Sequence, residues 1–136
     1  MSKLVMALLV VQVLVGGYMF GSIAGSGSAR ATRLPPLVVF THAMLGVAAP
    51  ALWIAYLYTG ETAWVWVTLG SLLASVAGGL LLFSRTVGRS DTLRRPAADP
   101  ADVRVAEKQV PKTVLVGHGL GAALLVGCVL AVGLGA

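Results

Sequence analysis

The chain holds two histidines, His42 and His118, and each stands in an apolar stretch seven residues after a proline, Pro35 or Pro111. An imidazole carries protons near neutral pH and ligates iron, copper or zinc. Buried in hydrocarbon it is costly and turns toward a bundle interior, so two at one depth read as a functional pair. Their surroundings repeat. Residues 34–42 read Leu-Pro-Pro-Leu-Val-Val-Phe-Thr-His, and residues 110–118 read Val-Pro-Lys-Thr-Val-Leu-Val-Gly-His. Upstream, Gly16-Gly17 aligns with Gly78-Gly79 and Ser22 with Ser84.

The sharpest chemistry this pair predicts is one b-type haem with His42 and His118 as axial ligands. Two facing imidazoles on iron make an electron-transfer centre. Gly46 and Ala49 follow His42, and Gly117, Gly119, Gly121 and Ala122 surround His118. Small residues leave room for a flat group, and they equally let helices approach closely. Arg33 and Lys112, near the starts of the same segments, are candidate partners for propionates. Outside haem iron the two histidines make a poor metal site, since a zinc centre takes three or four protein ligands. Met44, two residues after His42, points off that face.

A plainer reading gives each histidine an interhelical hydrogen bond, to Thr41, Gln12 or Ser22 for example, since polar side chains join membrane helices. The chain is then a small non-catalytic structural or accessory subunit of a larger membrane complex. A transporter or channel is the third reading, and it is weakened because no Asp or Glu lies in an apolar segment. No enzyme is expected. Nothing near Ser26-Gly27-Ser28 would activate a hydroxyl, and Gly25–Gly27 lacks the strand and helix that frame a phosphate loop. Cys128, the single cysteine, reads as a small hydrophobe.

These residues need elements to position them. The 136 residues are 57% hydrophobic and 11% charged, against about 25% charged in a soluble domain. A spanning helix needs roughly 20 apolar residues, and four uncharged segments qualify: about 4–24, 37–58, 63–84 and 113–135. The expected fold is therefore all-α, a single transmembrane domain over 1–136 built as a four-helix bundle. The repeat makes it two helical hairpins in parallel orientation, related by a pseudo-two-fold axis along the membrane normal. Pro35 and Pro111 suit helix starts. Pro50, inside the second segment, frees the carbonyl of Gly46 and predicts a kink. Thr68, Ser71, Ser75 and Gly79 form a small-residue packing seam on the third.

The arrangement resembles four-helix b-type cytochromes of membranes in architecture alone. Those holding two haems need four axial ligands, and this chain has two histidines.

The net charge of +5 is segregated, not spread. Nine of ten Lys/Arg fall in two connections: Arg30 and Arg33, then Arg85, Arg89, Arg94, Arg95, Arg104, Lys108 and Lys112. Basic loops stay in the cytoplasm. A multi-pass chain in the plasma membrane with both termini outside is expected, and nucleic acid is not a partner. The outer loop, 59–62, carries Glu61, and Trp53, Tyr56, Tyr58, Trp64 and Trp66 flank it as an interfacial belt would. The cytoplasmic loop 85–112 suggests one short helix near 101–108. Lys3, an apolar run and the small residues 24–29 imitate a secretory signal, but the run is longer than a signal core and reads as a spanning helix. Besides the lipid bilayer, the partners expected are other membrane subunits, with quinone or a redox protein if haem is held. A single haem near the cytoplasmic side does not bridge a core of about 30 Å.

Overall fold

A computed structural model describes residues 1–24, 34–87 and 110–135. They form helices α1 (Ser2–Ala24), α2 (Pro36–Thr59), α3 (Thr62–Val87) and α4 (Lys112–Gly133). The shortest has 22 residues, about 33 Å at 1.5 Å per residue, enough to cross a bilayer core. All four are long and apolar enough to span a membrane. They match the expected segments except that α3 runs on through Val87. Arg33 and the expected helix near 101–108 lie outside the described residues.

Helix ends follow local chemistry. Pro35 and Pro111 occupy the N-cap positions, and Pro36 fills the first turn of α2, where a missing N–H costs nothing. At the other end of α2, Gly60 adopts a left-handed φ of 71°. Its N–H donates to the Tyr56 carbonyl at 2.8 Å. A residue without Cβ takes this conformation at no steric cost, so the chain turns within Gly60-Glu61 and enters α3. The Glu61 N–H donates to Thr59 Oγ1 at 3.2 Å, closing the turn.

Each helix packs on its two neighbours in the ring α1–α2–α3–α4. This places α1 opposite α3 and α2 opposite α4. The core cluster comprises Val5, Leu9, Ala49, Trp53, Val65, Leu69, Leu72, Leu125 and Val129. Every one of these lies in the half of the bundle that carries residue 60 and the chain termini. Trp53 is central to it: fully buried, packed against the Tyr56 ring at 4.9 Å with the planes tilted by 54°, and donating its indole N–H to the Ser2 carbonyl at 3.1 Å. The expected aromatic belt is corrected accordingly. Tyr58 and Trp66 are exposed as a belt requires, whereas Trp53 is a core residue that pins α2 to the start of α1.

The expected seam on α3 is present, and it faces α2. Ser71 Oγ donates to the Leu45 carbonyl at 3.2 Å. Ser75 lies one turn further along. Thr68 is buried but bonds within its own helix, to the Trp64 carbonyl at 2.8 Å. Helix α2 is continuous through Pro50.

Candidate functional site

The two histidines meet across the bundle. His42 on α2 and His118 on α4 come from diagonally opposite helices, and their ring centroids are 6.2 Å apart with planes at 79°. Both are partly buried. Their equal offset from helix-starting prolines is what sets them at one level, since a residue advances every helix by the same rise.

Each imidazole lies against a glycine of a neighbouring helix, and the pairing follows the repeat. A Cβ on Gly78 of α3 would stand 3.4 Å from His42 Cβ, and one on Gly79 would stand 3.1 Å from His42 Cε1. On the other side, a Cβ on Gly16 of α1 would stand 3.6 Å from His118 Cε1. Gly16 and Gly78 are the aligned positions of the two copies. The glycines thus serve as seats for the rings, and the seat under His42 is the tighter.

The polar environments of the two rings differ. His42 Nδ1 lies 2.8 Å from the Ser75 carbonyl oxygen. A carbonyl only accepts, so Nδ1 carries the proton and the neutral ring keeps its lone pair on Nε2. Ser75 Oγ returns a hydrogen bond to the His42 carbonyl at 3.1 Å, and it also lies 3.1 Å from Nδ1. His118 Nδ1, by contrast, is buried with no hydrogen-bond partner among the described residues, as is Gln12 Oε1. The Gln12 amide occupies the space that a side chain at Gly121 would fill.

The partners named from sequence are therefore revised. Ser22 Oγ donates to the Tyr18 carbonyl of its own helix at 2.8 Å, and Thr41 is exposed. Gln12 does reach the α1–α4 contact near His118. Ser75, read from sequence as packing only, is the residue that fixes His42. Its signal was its place one turn before Gly79, the glycine aligned with the one beside Gly16.

Lys112 stands at the start of α4 on an exposed face, where it lines an open groove with Thr113, Val116, Gly117 and Leu120. A second open groove lies between α1 and α2, lined by Val10, Val13, Leu14, Val47 and Pro50. Neither contains a histidine. Among the described residues no group of three or more His, Cys, Asp or Glu gathers, so any metal here rests on the imidazole pair.

Two imidazoles are the donor set that a bis-imidazole iron would use. His42 and His118 would hold the iron between them, and their ring centroids stand 6.2 Å apart. Ligating histidines donate their other N–H to a carbonyl or similar acceptor, and His42 does so to Ser75. The half of the bundle around the pair also holds none of the core cluster. Comparison of the chain with family models, curated proteins and solved structures finds no match.

Proposed function

We propose that this chain is a small, non-catalytic membrane subunit that holds one haem b between His42 and His118 and serves electron transfer in a larger assembly. The observation that carries the reading is the meeting of two helix-borne imidazoles across the bundle at 6.2 Å. When bound, the haem supplies one-electron chemistry between ferric and ferrous iron.

The protein's own residues do the rest. Ser75 fixes the tautomer that presents His42 Nε2. Gly78, Gly79 and Gly16 let the rings seat against α3 and α1. The packed half, centred on Trp53, separates the pair from the other face of the membrane. Lys112, and Arg33 from the connection between α1 and α2, are the cations offered to propionates. With the basic connections in the cytoplasm, the site lies nearer that side, and its electrons pass to or from quinone or a redox protein there. The chain then belongs in a plasma membrane with both termini outside. Glu61→Cys in a Cys128→Ser background tests this orientation: an impermeant maleimide added outside intact cells should label it, and protection until lysis would reverse the topology.

Haem uptake is tested by titrating the detergent-purified apoprotein. Binding should saturate at one equivalent and disappear in His42→Ala and in His118→Ala. The second reading, an accessory subunit whose histidines only join helices, is favoured by the reciprocal bonds between His42 and Ser75. It predicts no uptake.

A further inference from the structure

The two halves of the repeat treat their histidines differently, and the difference singles out Gln12. His42 Nδ1 has the Ser75 carbonyl. The position aligned with Ser75 in the first copy is Val13, which brings no hydroxyl, and His118 Nδ1 has no hydrogen-bond partner among the described residues. A protonated Nδ1 left so would be a buried N–H without an acceptor, at a cost of about 1–3 kcal/mol, and such a group calls for an explanation.

The residue beside Val13 provides one. Gln12 Oε1 is the other buried, unpartnered polar side-chain atom of the described residues, an acceptor matching the missing donor. Both atoms belong to one helix contact. Gly16, one turn from Gln12 on α1, lies against His118 Cε1, and Gly121, three residues from His118 on α4, lies against the Gln12 amide. A half-turn of the terminal torsion exchanges the two ends of that amide, and the side chain's other torsions carry it along the contact. Gly121 keeps the space in which it moves.

We propose that Gln12 is the positioning residue of His118: its amide oxygen accepts the His118 Nδ1–H, so that the ring keeps its lone pair on Nε2. Gln12 then does for the second ring what the Ser75 carbonyl does for the first. The metal-binding consequence rests on the haem reading; the tautomer does not. Loss of such an outer partner typically costs 10–100-fold in metal affinity.

The test has two arms on the full-length protein in detergent. The first records side-chain nitrogen NMR of the histidine-labelled apoprotein. Wild type should show His118 with Nδ1 protonated, and Gln12→Leu and Gly121→Ala should each move it toward the Nε2-protonated form while His42 stays unchanged. Gln12→Glu, which keeps an acceptor, should retain the wild-type tautomer. The second arm titrates haem, and Gln12→Leu should bind on the order of 10-fold more weakly, with Gln12→Glu restoring affinity. A His118 tautomer indifferent to both Gln12→Leu and Gly121→Ala overturns the proposal. If wild type takes up no haem, the functional reading falls and the NMR arm still decides the role of Gln12. Should wild type and Gln12→Leu bind haem equally with the tautomer unmoved, the haem reading stands and Gln12 has no part in it.

Discussion

The half of the bundle that carries the chain termini, here called outer, and the half that carries the two histidines, here called inner, are built on different principles. The outer half is filled by large apolar side chains, with Trp53, Leu9, Leu125, Val5 and Val65 almost wholly buried. The inner half has glycines, Ser75 and two imidazoles at its helix contacts. In a membrane, lipid is as apolar as the core, so helices associate through close packing and hydrogen bonds and gain little from hydrophobicity. The outer half uses the first means. The inner half uses its contacts to hold two rings at a fixed separation. The packed core and the imidazole pair are thus divided along the bundle axis.

Substitutions can break or sharpen that division. The largest effect expected on stability is from Trp53→Ala, which empties the outer core and removes the bond to Ser2. It should cost about 3 kcal/mol, the low end for a large aromatic because lipid replaces water as the alternative surrounding. Haem affinity of the molecules that remain folded should be unchanged, as measured by denaturant unfolding in detergent beside a haem titration. Weakened haem binding in that folded fraction would show the halves to be coupled.

Gly79→Ala should come next. The added Cβ would stand 3.1 Å from His42 Cε1, so the ring must shift, at about 1 kcal/mol or somewhat more. Here the expected signature is the reverse of Trp53→Ala, with haem affinity lowered more than stability. Ser75→Ala should cost roughly 1 kcal/mol through the hydroxyl bond to the His42 carbonyl. Its own carbonyl remains to accept from His42 Nδ1, so nitrogen NMR should find the His42 tautomer preserved. The smallest effect belongs to Gly17→Ala. It is the aligned counterpart of Gly79, yet nothing lies within 4 Å of its Cβ position, and stability should stay within about 0.5 kcal/mol. Equal damage from Gly79→Ala and Gly17→Ala would mean that the seats are not as asymmetric as described.

How much of this was legible in the sequence follows from what membranes demand. The four spans could be read because uncharged runs of the needed length have no other stable home. The meeting of His42 with His118 could be read as well, because equal spacing after two prolines fixes equal depth. Side-chain direction was harder. Helices that are apolar all round carry little periodic signal to say which face turns inward. Trp53 therefore looked like part of a belt, although it fills the core. Ser75 looked like packing, although it fixes His42. The Gln12–Gly121 contact joins residues of unlike type on distant helices, and no local pattern announces it. The repeat was informative where its copies agree, at the histidines and glycines, and silent where they diverge, at Ser75 and Val13.

The central claim is that His42 and His118 together hold one haem, and the most direct measurement is a reduced-minus-oxidised visible spectrum of the purified protein. Haem should be supplied during expression, and His42→Ala and His118→Ala prepared alongside. The account predicts a sharp low-spin haem b difference spectrum in the wild type that is lost in both variants. A flat wild-type spectrum, or one that survives removal of either histidine, would contradict it.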